Sequence, residues 1–256
     1  MDSAAALLPD AVKSAGVLKV AIPTNEPPTQ FYREGTQEMT GVNPDIARLI
    51  GGALGLKVQI EVTAFDAIIP GMAAGRYDLT VSSMTPTEAR MKQLDFVDYV
   101  QMGSALAVPT GNPKKISLET LCGAKVAVLE GSYQVTVNIP PIDDACKTAG
   151  KPAPQLFQFN DTHQAISSVL SGRTDVVYAD QPILGYAAKQ EPRIALAGVS
   201  DIAPVAVGVP HDTGTLKAVS AALTAIVASP EYKKVLDSYG LKTMAITDAR
   251  VNAAQG

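Results

Sequence analysis

The chain has 256 residues, which is enough for one large domain or for two lobes that each bury a core. Hydrophobic residues make up 46% and charged residues 18%, the balance of an ordinary globular protein. A formal net charge of -4 argues against nucleic acids and anionic membranes as partners, because both require a basic surface.

The first 16 residues contain a short Ala-Leu patch that Pro9 and Asp10 interrupt and that no basic segment precedes. This pattern does not fit a signal peptide. If the protein is exported, we therefore expect the sequence to represent the mature form, with its signal peptide removed. No apolar run approaches the length of a membrane span.

Candidate strands alternate with helical patterns along most of the chain, which predicts an α/β fold with largely parallel sheets. In chain order we predict a strand at Leu18–Ile22, a Pro-rich loop at Asn25–Phe31, a helix that begins at Pro44 with Asn43 as its N-cap, a strand at Val58–Val62, a helix within Ile68–Ala74 and a strand at Leu79–Ser82. Further strands are predicted at Val126–Leu129 and Val176–Ala179.

The stretch Asp78–Phe96 contains the strongest local signal for ligand binding. Its strand ends in the hydroxyl pair Ser82 and Ser83, and a helix is predicted to begin at Thr85. A proline in the first helical position and Glu88, three residues after Thr85, complete a capping box. Because the first turn of a helix has amide groups without internal partners, this junction predicts an anion site.

Arg90 lies five residues after Thr85, so its guanidinium can reach back to the same junction. A planar fork of donors suits a carboxylate held by two hydrogen bonds. The alternative from these residues alone is a capped helix with a solvated arginine.

The second half of the chain repeats short motifs of the first half, in the same order and about 100 residues later. Lys19–Ile22 corresponds to Lys125–Val128, and Gly75–Leu79 corresponds to Gly172–Val176. The repeat predicts two lobes of similar plan. It places Ser83 level with Asp180 and places Gly131–Ser132 at the end of another strand, where parallel α/β sheets bind ligands. A cationic residue and an opposing carboxylate together suit an α-amino acid.

Cys122 and Cys146 are 24 residues apart, without a C-x-x-C motif or a nearby pair of histidines, which disfavours zinc. One disulfide or two free thiols are both compatible with this spacing. The sequence has no G-x-S-x-G, P-loop or H-E-x-x-H motif, and His163 and His211 lie in unrelated contexts. We therefore expect no catalytic residue, metal or cofactor.

Seven segments occur in a characteristic order: G-x-L-x-V-A (Gly16–Ala21), P-P-x-x-F (Pro27–Phe31), G-x-x-x-D-I-A (Gly41–Ala47), F-D-x-I-I-P-G-x-A-A-G-R-Y-D (Phe65–Asp78), S-S-x-T-x-T-x-x-R-x-K-Q-x-D-F-V (Ser82–Val97), L-x-G-x-x-V-A-V-x-x-G-S (Leu121–Ser132) and D-x-V-x-A-D (Asp175–Asp180). Together they resemble the polar amino-acid substrate-binding proteins of bacterial ABC transporters, the family 3 extracellular solute-binding proteins. The resemblance runs from about Leu8 to Leu241.

The resemblance implies a type II periplasmic-binding-protein fold, with two lobes joined by two hinge strands and the ligand in the interlobe cleft. We expect residues 1–108 and 204–256 to form lobe 1 and residues 109–203 to form lobe 2. Cys122 and Cys146 fall where some family members have a disulfide. The expected protein is a monomer in the periplasm, or secreted or lipid-anchored outside the cytoplasm.

The resemblance also assigns roles to individual residues. Arg90, with Ser83 and Thr85, would bind the ligand carboxylate, Asp180 and the Ser83 region would bind its ammonium, and Phe65 would stack on its side chain. The remaining candidate ligand-binding residues are Ser82 and Met84 on the first side and Gly131, Ser132 and Tyr133 on the second, with Gln134 behind them. The alternatives are a core position for Phe65, an N-cap for Asp180 and a solvent-facing Tyr133.

Three positions depart from the family pattern: Pro23 replaces a common aspartate, Glu26 a common aromatic residue and Asn43 the usual aspartate of the Gly41 helix. Asn43 is interpreted as a helix cap. A carboxylate at position 26 would need a cation, which favours a cationic or donor-rich ligand such as arginine or lysine. The alternative is that Glu26 turns outward or pairs with Arg33 or another basic residue on the rim.

The resemblance thus implies an extracytoplasmic binding protein that captures an amino acid or close derivative and delivers it to the membrane permease of an ABC transporter. One alternative is an enzyme of the same fold, similar to cyclohexadienyl or arogenate dehydratases, which a turnover assay would reveal. The other is a ligand-sensing domain of a receptor.

Overall fold

The computed structural model describes residues 2–211 and 213–254. They pack into two compact units. Unit 1 comprises the chain up to Thr24, the range Thr29–Gln101 and the chain from Ala203 onward, and unit 2 comprises Asn25–Pro28 and Met102–Ile202. The lobe boundaries at 108/109 and 203/204 stay predictions; the units divide at 101/102 and 202/203. No feature of the sequence predicts that Asn25–Pro28 belongs to unit 2.

The described residues form strands and helices in an alternating order. The strands are β1 (Val17–Ile22), β2 (Phe31–Tyr32), β3 (Met39–Thr40), β4 (Lys57–Val62), β5 (Leu79–Met84), β6 (Leu94–Pro109), β7 (Lys125–Leu129), β8 (Gln155–Phe159), β9 (Val176–Asp180) and β10 (Ile194–Pro210). The helices are α1 (Asp2–Ala6), α2 (Asp10–Ala15), α3 (Val42–Leu54), α4 (Ile68–Ala73), α5 (Glu88–Met91), α6 (Ile139–Thr148), α7 (Thr162–Leu170), α8 (Gln181–Gln190), α9 (Thr215–Val227) and α10 (Pro230–Ser238).

Each unit contains a mixed sheet. In unit 1 the strand order is β4-β1-β5-β10, where β4, β1 and β5 are parallel and β10 is antiparallel to β5. In unit 2 the order is β6-β9-β7-β8, where β9, β7 and β8 are parallel and β6 is antiparallel to β9. The long strands β6 and β10, of 16 and 17 residues, each contribute to both units, as the resemblance implies for hinge strands.

The core of unit 2 has two layers, because successive side chains of a strand point to opposite faces of the sheet. On β6, Ala105 and Ala107 belong to one buried cluster and Leu106 and Val108 to the other. In unit 1, helix α3 buries an apolar face that includes Ile46, Ile50 and Leu54. Among the described residues, no helix combines the length and apolar character needed to cross a bilayer.

The internal repeat forms the same hydrogen bonds in each unit. In unit 1, the Lys19 amide donates to the Asp78 side chain at 2.7 Å, and the Asp78 amide donates to the Lys19 carbonyl at 2.9 Å. In unit 2, the Lys125 amide donates to the Asp175 side chain at 2.9 Å, and the Asp175 amide donates to the Lys125 carbonyl at 2.8 Å. We call this paired contact the aspartate clasp. It joins neighbouring parallel strands at their amino-terminal ends.

A glycine precedes each clasp because the turn requires a left-handed backbone. Gly75 follows α4 with a φ of 68°, and Gly172 follows α7 with a φ of 74°. Residues without a Cβ adopt this conformation at little steric cost. The repeated G-R-x-D motif therefore encodes one local structure twice: a helix end, a tight turn and a clasp.

The segment after α10 returns along the unit 1 part of β6. Val251 forms an antiparallel bridge with Val97, and the Asp98 amide donates to the Arg250 carbonyl at 2.9 Å. The Arg250 guanidinium also donates to the buried Asp98 carboxylate at 3.0 Å. Burial raises the pKa of Asp98 to about 6, although Arg250 opposes the rise.

The disulfide is confirmed. Cys122 and Cys146 are bonded, with their Cα atoms 5.5 Å apart. Cys146 lies on α6 and is fully buried, while Cys122 precedes β7, so the bond ties a helix of unit 2 to its sheet.

Candidate functional site

Arg90 belongs to a helix that begins later than predicted. Helix α5 begins at Glu88, and its N-cap is Thr87, whose hydroxyl accepts from the Arg90 amide at 3.2 Å. The predicted helix start at Thr85 and its capping box with Glu88 are therefore wrong. Thr85 and Thr87 flank Pro86, and the hydroxyl of either residue suits a helix cap. Thr87 is the cap, and the Thr85 carbonyl accepts a hydrogen bond from Arg90 Nη1 at 2.9 Å.

The guanidinium of Arg90 is buried in unit 1, with only 7% of the residue exposed. Besides its bond to Thr85, it lies 5.4 Å from the centroid of the Phe65 ring, within the range of a cation–π contact. Phe65 is itself 8% exposed, so the ring packs in unit 1 and supports the cation. A buried cation favours an anionic partner, since removal from water is costly without one.

A bulge precedes Arg90 at the end of β5. Val81 pairs with Val207 and Met84 pairs with Ala206, which leaves Ser82 and Ser83 as two extra residues on β5. Such bulges redirect side chains and occur often beside functional sites. The Ser82 hydroxyl accepts from a neighbouring threonine within the strand, and Met84 is almost fully buried.

Asn43 is not a helix cap. Gly41 occupies the N-cap of α3, and Asn43 lies inside the first turn with no exposed surface. A Cβ at Gly41 would lie 2.5 Å from the Thr29 carbonyl oxygen, so only glycine allows the two backbone segments to approach this closely. At this distance the backbone amide of Asn43 donates to the Thr29 carbonyl at 2.9 Å. The Asn43 side chain instead donates to Ser83 Oγ at 3.1 Å.

Glu26 lies in unit 2 and is 4% exposed, so the predicted alternative of an outward side chain is wrong. The hydroxyl of Thr162 donates to its carboxylate at 2.5 Å, while Arg33 contacts Glu38 at 3.3 Å. Burial raises the pKa of Glu26 from 4.5 to about 7. Thr162 opposes this rise, and the charge of Asp180 adds to it.

Asp180 ends β9, as predicted, and occupies the N-cap position of α8. Its side chain forms no capping hydrogen bond. It accepts instead from the Gln134 side chain at 2.9 Å, and the same Gln134 amide donates to Ser104 Oγ at 2.7 Å. Gln134 thus orients the carboxylate of Asp180 within unit 2.

The last three predicted site residues, Gly131, Ser132 and Tyr133, lie in the segment after β7. Gly131 adopts a φ of 70°, Ser132 is 5% exposed, and Tyr133 is partly exposed immediately before the π-helix Gln134–Asn138. Its partial exposure leaves the alternative of a solvent-facing Tyr133 as a prediction. The Ser132 hydroxyl accepts from the Val135 amide at 3.4 Å.

The sequence-based prediction lacks five polar residues that form hydrogen bonds with or beside the candidate site residues: Gln30, Asn43, Tyr99, Ser104 and Thr162. It treats Asn43 only as a helix cap. Each of the five acts through a partner that is distant in the chain; Thr162 and Glu26, for example, are 136 residues apart. The departure of Asn43 from the family aspartate was the one available signal.

The candidate site residues of the two units differ in their chemistry. Unit 1 has a buried guanidinium beside hydroxyl groups, which suits a carboxylate. Unit 2 has two neighbouring carboxylates, Glu26 and Asp180, which suit a cation or several donors. In the described ranges no group of three or more His, Cys, Asp or Glu side chains is arranged to hold a metal ion.

Comparison with known sequences gives a family match. Residues 18–242 match the profile of the bacterial extracellular solute-binding proteins, family 3. The chain is also 27% identical over 249 residues to an arginine-binding protein of Corynebacterium glutamicum, a match that covers 96% of this chain and 82% of that protein.

Solved structures show the same fold. An ancestral arginine-binding protein bound to arginine superposes with a TM-score of 0.80 at 30% identity, covering 88% of this chain and 98% of that one. An ancestral amino-acid-binding protein described as a precursor of cyclohexadienyl dehydratase superposes with a TM-score of 0.76 at 26% identity, covering 90% of this chain and 97% of that one.

Proposed function

Because the chain belongs to the family 3 bacterial extracellular solute-binding proteins, we propose that it captures a cationic amino acid outside the cytoplasm and delivers it to the permease of an ABC transporter. The amino-acid class follows from the family. The preference for a cationic ligand follows from Glu26 and Asp180, and it agrees with the named ligand of the arginine-binding relatives.

The α-carboxylate of the ligand is assigned to unit 1. The Arg90 guanidinium is buried beside Phe65 and next to Thr85, so a carboxylate would receive charge-assisted hydrogen bonds in a poorly hydrated place. Ser83 and Thr85 supply neutral donors on the same side.

The single observation that carries the cationic preference is the pair of carboxylates in unit 2. Glu26 is buried, and its pKa rises to about 7 because of desolvation and the nearby charge of Asp180. Two carboxylates in such surroundings favour a ligand with more than one cationic or donor group. The α-ammonium is assigned to Asp180, and the side-chain cation to Glu26.

The proposal is tested by a thermal-shift screen of the twenty amino acids, ornithine and agmatine on protein stripped of ligand by unfolding and refolding. A ligand present at 100 times its dissociation constant adds about 2.7 kcal/mol to the free energy of unfolding, which the screen detects readily. We expect arginine, lysine or ornithine to give the largest shift. A largest shift from glutamate, aspartate or an aliphatic amino acid would overturn the cationic preference.

We further propose that the protein is not an enzyme, since the relatives reported above are named as binding proteins. One similar structure is a dehydratase precursor, so prephenate and arogenate are the substrates to test. Incubation with each, followed by absorbance of the aromatic product, should show no turnover above the buffer control. Turnover would replace the transport proposal with a dehydratase.

The proposed location is the periplasm or, for a secreted or lipid-anchored form, the outer face of the membrane. The Cys122–Cys146 disulfide supports an oxidising compartment. We propose a monomer without affinity for nucleic acid, given the net charge of -4. Light scattering with and without the ligand measures the mass in solution.

A further inference from the structure

Ser83 has a backbone conformation that its neighbours must maintain. It lies in the bulge of β5 with a φ of 55°, in the left-handed region that residues other than glycine rarely adopt. Such a conformation persists only where surrounding contacts fix it. The residues that supply those contacts therefore influence the geometry of the proposed carboxylate site.

Two buried side chains hold Ser83 at two points. The Ser83 amide donates to the Tyr99 hydroxyl at 3.0 Å, and Asn43 Nδ2 donates to Ser83 Oγ at 3.1 Å. Tyr99 and Asn43 are also joined, because the Tyr99 hydroxyl donates to Asn43 Oδ1 at 2.5 Å. The second hydrogen of the Asn43 amide donates to Gln30 Oε1 at 2.5 Å. Tyr99, Asn43 and Gln30 have no exposed surface.

The donor directions in this network are mutually consistent. Tyr99 uses its hydrogen on Asn43 and accepts from the Ser83 amide, so that amide is already engaged within unit 1. Asn43 can only donate through Nδ2, so the oxygen of Ser83 accepts from it. The hydroxyl hydrogen of Ser83 is consequently directed to an acceptor other than Asn43.

We propose that Asn43 and Tyr99 are positioning residues that orient Ser83 as a hydrogen-bond donor and so make the unit 1 site selective for a carboxylate over a carboxamide. An aspartate at position 43 would accept the hydrogen of Ser83 and remove this donor from the ligand. The inference rests on the proposed function, because it concerns the same site.

The experiment compares the affinities of L-arginine and L-argininamide, which differ at the α-carboxyl group. Calorimetry is performed on the wild type, Asn43→Asp and Tyr99→Phe. In both variants we expect the affinity for arginine to fall about tenfold or more and that for argininamide to change less than about threefold, in line with the loss of one oriented hydrogen bond. A purely structural role would weaken both ligands equally.

Ser83→Gly supplies the internal control. Glycine adopts a φ of 55° without steric cost and lacks the hydroxyl. In this background, Asn43→Asp and Tyr99→Phe should no longer change the ratio of the two affinities. A change of ratio that persists would mean that the carboxylate introduced by Asn43→Asp, or a wider distortion, acts on the ligand directly, which would overturn the inference.

Tyr232→Phe is the matched control for loss of a buried tyrosine hydroxyl. Tyr232 donates to the Tyr99 carbonyl at 2.9 Å and does not touch Ser83 in the network described. It should lower the melting temperature and leave the affinity ratio unchanged. The two test variants alter the network at separate points, so misfolding of one leaves the other to decide.

The outcomes separate the inference from the proposed function. If the wild type binds another amino acid in place of arginine, the cationic preference fails, and the inference is decided by the same comparison with that amino acid and its α-amide. If the wild type binds arginine and both folded variants keep the wild-type ratio of affinities, the inference alone is overturned.

Discussion

Units 1 and 2 resemble each other at the amino-terminal ends of their parallel strands and differ at the carboxyl ends. At the first ends, Asp78 and Asp175 form the same aspartate clasp. At the carboxyl ends, unit 1 has a serine bulge and a buried guanidinium. Unit 2 instead has two carboxylates, which Gln134 and Thr162 orient.

The comparison shows which part of a repeated β-α-β plan is constrained by folding and which is open to change. The clasps satisfy backbone groups and set the strand register, so both copies retain them. The carboxyl ends carry opposite charges: a buried guanidinium in unit 1 and two carboxylates in unit 2. The predictions below separate these two roles.

The largest expected effect is the loss of ligand affinity when Arg90, the buried cation of unit 1, is replaced. Arg90→Ala should weaken amino-acid binding by about 4 kcal/mol, roughly a thousandfold, because a buried charged partner is lost. Arg90→Lys should recover part of the loss, since it keeps the charge but not the planar fork. Calorimetry measures both, with the exposed Arg76→Ala as control. An affinity for Arg90→Ala within a few-fold of wild type would contradict the assignment.

The second prediction concerns the Cys122–Cys146 disulfide, a kind of bond that, in the part of the chain the structure describes, occurs only in unit 2. The disulfide closes a loop across 24 positions, so the double variant Cys122→Ser, Cys146→Ser should lose about 3.5 kcal/mol of unfolding free energy on the loop-entropy model. Amide hydrogen exchange should accelerate in β7 and β8 more than in β1 and β4. Titration of unfolded, unreduced wild type should detect no thiol; two thiols would mean that the bond does not form in solution.

The third prediction concerns the anionic side. Glu26→Gln should weaken a cationic ligand by about 2 kcal/mol, roughly 30-fold, and leave neutral amino acids nearly unaffected, because only a cation gains from the charge. The exposed Glu231→Gln is the matched control. Equal losses for arginine and glutamine would indicate a packing role for Glu26.

The pH dependence of the same group has a defined sign. A bound cation favours the charged carboxylate, so arginine binding should release a proton and weaken about tenfold per pH unit below the Glu26 pKa of about 7. Without ligand, pH affects stability in the opposite direction. The raised pKa of Glu26 stabilises the folded protein fully below pH 4.5, and this stabilisation is lost as the pH rises through about 7. Glu26→Gln should flatten both profiles, which calorimetry and urea unfolding measure.

The smallest expected effect distinguishes the two clasps. Asp78→Ala and Asp175→Ala should each cost about 1 kcal/mol of stability, with Asp175→Ala the larger, since Lys114 also contacts Asp175 at 2.7 Å. Burial raises the pKa of Asp175, but Lys114 and the Lys125 amide outweigh it, so the pKa lies below its usual value. This contribution is therefore lost as the pH falls below about 4. Lys114→Ala should make the two variants equal in urea unfolding.

Much of the architecture could be predicted from local patterns. The repeat predicted two similar units, and the apolar strands and the motifs in sequence predicted the α/β fold. Local patterns were less reliable where two residues compete for one role, as Thr85 and Thr87 do at the cap of α5. Thr87 is the cap, and the Thr85 carbonyl accepts from the Arg90 side chain, a contact that no capping rule includes.

The polar networks of the candidate site could not be predicted in this way. Asn43, Tyr99 and Ser83 meet only after three separate elements have packed, and the same holds for Glu26 and Thr162. A hydroxyl or amide in a sequence does not specify its partner. Its burial and the direction of its hydrogens are set by tertiary packing.

The discontinuity of unit 1 has a consequence for the order of synthesis. Tyr232 and the segment near Ile246 hold the Tyr99 strand, and they leave the ribosome more than half the chain length after Tyr99 itself. The hydrogen bonds that hold the Tyr99 carbonyl are therefore completed only when the last part of the chain is available. Unit 2 is nearly contiguous in sequence and acquires all its strands earlier, so it is the first part of the molecule able to fold.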